Sequence, residues 1–161
     1  MGHLARTGRA VGRRGAGSWA LLGITAAAAL LLMPAAGAAE SPAGSATYQA
    51  LGGEAGVQAI VHALVEKSTT DPQTRRSFAK INRPRLEKML ALQICDLAGG
   101  GCVFDGDPMG PTHAGLKITE SEFYGMVEHL RAVLDERGVP IAAKNALLAR
   151  LAPMKRDIVT R

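Results

Sequence analysis

Past residue 39 the chain offers three histidines, His62, His113 and His129, and two cysteines, Cys95 and Cys102, as side chains able to bind a metal or carry a redox step. His62 and His129 sit at the edges of apolar helical stripes, where an imidazole is most often a surface or core-edge residue. His113 stands in the run MGPTHAGLKITESEF, beside a break between helices. Met109 precedes it by one helical turn, and Leu116, Ile118 and Phe123 follow with apolar surface. An imidazole facing such a surface suits the proximal ligand of a haem iron. A lone histidine is more often structural, and the local sequence leaves both readings open.

Cys95 and Cys102 bracket CDLAGGGC, whose three glycines let the loop close. Either a disulfide or two unpaired thiols fits this spacing. Zinc does not, because there is no CxxC and no second Cys/His pair nearby. Ser, His and Asp all occur, but nothing resembles a nucleophile elbow. LAGGGC lacks the Lys-Ser/Thr partner of a phosphate-binding loop. The carboxylates are scattered on polar helix faces and read as solvated groups.

The elements that must position these residues are helical. YQALGG at 48–53 reads as one helical turn stopped by a Gly pair. Val57, Ile60, Val61, Leu64 and Val65 then recur with the period of one apolar helix face, and Pro72 ends that helix. Residues 73–83 read as a polar connection carrying a buried Phe78. Pro84 suits the first turn of a helix whose stripe is Leu86, Met89, Leu90, Gln93, Ile94 and Leu97, stopped by Gly99–Gly101. After a loop over 102–112 a short helix is expected around His113. Thr119 and Glu122 have capping-box spacing before the stripe Phe123, Met126, Val127, Leu130, Val133 and Leu134. A last helix is expected from about 141 to 159. Pro153 should kink or split it. With no strand signals and no repeats, the fold class is all-α with about four substantial helices.

The chain has 161 residues, 19 Lys+Arg and 14 Asp+Glu. Residues 1–14 carry Arg6, Arg9, Arg13 and Arg14 and no acid. The apolar run WALLGITAAAALLL (19–32) and the small residues GAA (37–39) follow, which is the layout of a secretory signal peptide. The apolar run is short for a membrane span, so membrane association is expected only if this segment stays uncleaved as an anchor. Arg13-Arg14 hints at twin-arginine export, but the following GAGSW matches that signal poorly. Residues 40–47 read as a linker and 48–161 as one domain. Without the leader the balance falls to +1. No basic patch with interleaved aromatics remains, which argues against nucleic-acid binding. Aromatic residues make up only 4% of the chain, and a large apolar cofactor is one way to complete so lean a core.

The order YQALGGEAGVQAIV, TDP, SFAKINRPRL, AGGGCVFDGDPM, HAGLKITESEFYGMVEHLRAVL, GVP, LAPMKRDIV resembles a group 1 truncated haemoglobin over about residues 48–159. No single piece is specific; their shared order is. The resemblance implies a truncated globin fold, a two-over-two helical sandwich around haem b. It implies His113 as the proximal iron ligand and Phe78 packed on the haem face. Met109, Ile118, Phe123 and Met126 match haem-lining positions. The implied ligand is a diatomic gas (O2, NO or CO), bound or carried.

Departures from the family pattern lie on the other wall. A Phe-Tyr pair is frequent in the family at the positions of Leu64 and Val65, and a Gln at that of Leu90; Leu86 lies one turn earlier. None of these side chains donates a hydrogen bond, so tight, slow-releasing oxygen binding is not expected from them. Met89 lies where some relatives carry His or Lys. It either ligates the iron, which would suit electron transfer to a redox partner, or covers the haem edge or faces solvent. Arg85, Lys88 and Lys117 are propionate partners by charge and proximity alone. An alternative to gas binding is turnover of nitric oxide or peroxide at the same haem. A more distant one is a haem-free helical module that binds a partner.

Overall fold

The computed structural model describes residues 45–161, so the expected leader and most of the expected linker lie outside the described residues. Among those described, every regular element is helical: α1 (Ala46–Ala50), α2 (Gly53–Thr70), α3 (Arg83–Leu97), α4 (Met109–His113), α5 (Glu120–Glu136), α6 (Ile141–Leu151) and α7 (Lys155–Ile158). Two 3-10 turns, Arg75–Phe78 and Ala152–Met154, complete the set.

The domain begins earlier than its first periodic residue. Ser45 caps α1 by accepting the N–H of Tyr48, so residues 45–47 belong to a helix start rather than to the linker. The reason is tertiary. The Ser45 N–H donates to the Gly99 carbonyl at 2.8 Å and its hydroxyl to the Ala98 carbonyl, which ties the chain start to the end of α3. Between α1 and α2, Gly52 and Gly53 take φ of +90° and +62°, where a side chain would be strained. A methyl group on Gly56 would stand 2.0 Å from the Leu51 carbonyl oxygen, so α1 rests directly on the first turn of α2.

The stripe read on α2 is the centre of the core. Val57, Ile60, Val61, Leu64 and Val65 are all buried, packed against α3 on one side and α5 on the other. Leu130, Val133 and Leu134 of α5 and Ala143 and Leu147 of α6 close the opposite layer. α6 leans on α1 and α3. With α2 packed on both α3 and α5, and α3 on α6, the four long helices form a two-over-two helical sandwich. Leu147 is fully buried, and a leucine so placed stabilises the fold by about 1.5–3 kcal/mol through removal of its surface from water.

Caps and breakers act as their chemistry requires. Asn82 accepts the Arg85 N–H at 3.0 Å, with Pro84 in the first turn of α3. Thr119 and Glu122 form the reciprocal capping box of α5. Pro153 splits the last helical region into α6, the 3-10 turn and α7, since its ring removes a donor from the ladder. The end of the chain folds back: the N–H groups of Thr160 and Arg161 both donate to the Ile118 carbonyl, at 3.0 and 3.2 Å. That return holds α7 against α4. Cys95 and Cys102 form a disulfide joining the last turn of α3 to the loop that leads into α4.

Candidate functional site

α4 is too short to be stable alone and is held by its surroundings. Its last residue, His113, brings Nδ1 to 2.8 Å from the Met109 carbonyl oxygen. A carbonyl only accepts, so in the neutral ring Nδ1 carries the proton and Nε2 keeps its lone pair. His113 lines a cavity of about 290 Å³. The walls are Leu64 of α2, Leu86, Leu90, Gln93 and Ile94 of α3, Met109 of α4, and Phe123, Met126, Val127 and Leu130 of α5. Phe78, Ile81, Ile118, Met154 and Ile158 also line it. The lining is predominantly apolar, the character of a site for a large apolar group held by few polar contacts.

Eight of the nine residues singled out from the sequence thus meet in one cavity: Phe78, Leu86, Leu90, Met109, His113, Ile118, Phe123 and Met126. Met89 does not. Its methyl group packs beside Gly106, near the Phe104 ring, against the loop before α4. Of the two readings open for Met89, the geometry favours the covering one: the side chain is directed to the Gly106 loop and does not line the cavity. Phe78 is half-buried rather than buried, because it lies at the cavity edge. Arg85, Lys88 and Lys117 are exposed, and none lines the cavity. Val65 faces the core instead of the cavity, while Leu64 reaches both.

A charged pair buttresses the cavity edge. Glu122, only 8% exposed, lines the cavity and lies 2.6 Å from Arg76 Nε and 2.5 Å from Arg76 Nη2. It also accepts from the Ser77 hydroxyl at 3.0 Å and from the Thr119 N–H at 2.9 Å. Arg76 above all, with these donors, holds the Glu122 carboxyl down at about 2. Arg76 in turn donates to the carbonyls of Leu116 and Lys117. One guanidinium therefore binds together the Phe78 segment, the residues after α4 and the start of α5. Reading the carboxylates as uniformly solvated fails at Glu122.

Among the described residues the other two histidines do not reach the cavity. His62 is exposed, with Nδ1 3.4 Å from Glu87. His129 stands between the Ser68 hydroxyl and the Asp71 carboxylate, 3.2 Å from each. Although this joins Ser, His and Asp, Ser68 is fully buried and cannot meet a substrate. The set pins the end of α2 to α5. The Gln73 N–H and then His129 lower the Asp71 carboxyl below its ordinary value.

Gln93 also lines the cavity. It occupies one position of the apolar stripe of α3, and a glutamine among Leu, Met and Ile is the signal that marks it. It is 7% exposed, and its Nε2 approaches Met109 Sδ at 3.8 Å and Met154 Sδ at 3.6 Å.

Comparisons with known proteins agree with this all-helical fold. The model of the bacterial-like globin family matches residues 46–160. A group 1 truncated haemoglobin, GlbN, of Nostoc commune is 27% identical over 117 residues, covering 73% of this chain and 99% of its own. Its counterpart in Mycolicibacterium paratuberculosis is 27% identical over 113 residues, covering 70% and 83%. The solved structure of a truncated haemoglobin from Tetrahymena pyriformis in its Fe(III) form superposes with a TM-score of 0.67 at 25% identity, covering 71% of this chain and 98% of that one.

Proposed function

The chain belongs to the bacterial-like globin family, and from that premise we propose that it is a haem b protein whose iron is held by Nε2 of His113 and takes a diatomic gas. The carrying observation is the fixed tautomer of His113: Nδ1 is committed to the Met109 carbonyl, which leaves the lone pair of Nε2 to a cavity with mostly apolar walls. The haem, when bound, supplies the iron to which the gas attaches. The solved Tetrahymena pyriformis relative is described in an Fe(III) form, which supports an iron-binding reading here.

The chain's own residues account for retention and exclusion of water. Phe78, Phe123, Met126 and Ile118 offer apolar faces to the macrocycle. The Arg76–Glu122 pair fixes the two elements that carry the phenylalanines. Leu64, Leu86 and Leu90 give the cavity walls no hydrogen-bond donor, so these three positions do not retain a gas that gains negative charge on binding, such as dioxygen.

One absorption spectrum of the domain reconstituted with haem tests the reading. A Soret band is expected, with its position changed in His113→Ala. No band, or a band identical in the variant, would sink the assignment.

Export belongs to the same proposal. The basic start, the apolar run 19–32 and the small residues at 37–39 support a cleaved leader, and a disulfide suits an oxidising compartment. N-terminal sequencing of the protein recovered from cells tests this; a start near Glu40 is expected, and an intact Met1 would remove the idea of cleavage.

A further inference from the structure

Gln93 is the one amide among the cavity-lining residues, and its contacts leave it underused. A primary amide offers two N–H donors and a carbonyl acceptor. Here Nε2 meets only two thioether sulfurs, Met109 Sδ and Met154 Sδ, which are weak acceptors. The residue is 7% exposed, and Oε1 accepts no hydrogen bond from the described residues but is not sealed off, since no buried side-chain polar atom among them lacks a partner. A buried amide normally costs free energy unless paired with strong partners. Gln93 also lies on the cavity face of α3, at the turn following Leu90, where Leu86, Leu90 and Ile94 are all apolar.

We propose that Gln93 is the polar contact for the small ligand, its amide exchanging the Met109 and Met154 sulfurs for a partly negative oxygen of a bound gas such as dioxygen. This rests on the haem reading above. The two sulfurs orient the amide across the cavity from α3 to α4 and the Ala152–Met154 turn, yet hold it too weakly to resist a better acceptor. In a site with mostly apolar walls, one donor sets the ranking of ligands. A gas that develops negative charge when bound gains from Gln93, whereas carbon monoxide gains little. Gln93 thus does on its own what the leucines at positions 64, 86 and 90 do not.

The test uses haem-reconstituted protein, with carbon monoxide and dioxygen as probes, in wild type, Gln93→Met and Gln93→Leu. With the proposal correct, the C–O stretch of the ferrous carbon monoxide complex rises in both variants, because a positive donor near the ligand is lost. Dioxygen dissociates about tenfold faster, the weight of one hydrogen bond in a dry site. Carbon monoxide release changes less than twofold. Wild type gives an independent measurement, since the exchangeable amide protons make the C–O stretch differ between H2O and D2O. Normal Soret bands with an unchanged stretch, an unchanged dioxygen release rate and no solvent-isotope shift overturn the proposal while the haem reading stands. Absence of a Soret band in wild type overturns both.

Discussion

Arg76 and Glu122 lie side by side across 46 residues of sequence, with two guanidinium nitrogens 2.5 and 2.6 Å from the two carboxylate oxygens. The pair joins the turn that carries Phe78 to the helix that carries Phe123, so the cavity edge depends on it. Arg76→Ala leaves a buried carboxylate without its main partner and should cost about 1–3 kcal/mol, read from urea denaturation.

The same pair gives a pH signature. The Glu122 carboxyl, ordinarily near 4.5, is held at about 2 in the folded protein. Because the folded value is depressed, its contribution to stability is complete above the unfolded value and is lost as pH falls through that window toward 2. Melting temperature should decline over that range in wild type. A slope in Arg76→Ala as steep as in wild type would contradict this.

Removing the imidazole while keeping its space probes the iron ligand. His113→Gly should lose haem affinity at least tenfold and regain it on adding free imidazole, which can supply the same nitrogen. Titration followed at the Soret band measures this, and indifference to imidazole would count against His113.

Met89 faces the loop before α4, so Met89→Leu should leave the ferrous spectrum unaltered. A change in coordination in that variant would reinstate sulfur ligation.

The disulfide closes a short ring over Cys95–Cys102. Replacing both cysteines with serine should cost about 2–3 kcal/mol, from the chain entropy returned to the unfolded state. Wild type treated with a thiol reductant should fall to the same denaturation midpoint.

α5 crosses the turn after α2 closely enough that a methyl group on Gly125 would meet Thr74 Cγ2 at 2.7 Å. Gly125→Ala should therefore destabilise by about 1–3 kcal/mol, despite its better helix propensity. A thermal melt at or above the wild-type temperature would disprove this.

The helices were legible because each repeats a local pattern. The stripes on α2 and α5, the Thr119–Glu122 capping box and the Pro153 break are all short-range signals, and all appear where the sequence puts them. Much of the site was legible too, through the order of motifs around His113. Phe78, Met109, Phe123 and Met126 converge on the cavity as that order implied. For Met89 the sequence leaves two readings open, because helical periodicity places it near Leu86 and Leu90 without fixing which wall it meets. Ser45 looks like linker in the sequence because its partners, Ala98 and Gly99, lie at the far end of α3.

By itself the sequence determined the helical period, the stops, the spacing of the caps and the one histidine set among apolar neighbours. Those depend on interactions within a few residues, which a linear pattern records. The fold decided which side chains are brought together from distant places: Arg76 onto Glu122, His129 between Ser68 and Asp71, and the amide of Gln93 onto the sulfurs of Met109 and Met154. A glutamine in an apolar stripe is a surface residue, a flaw or a functional group depending on what stands across from it. Here two weak acceptors and a mostly apolar cavity stand across from it, and only packing could bring them there.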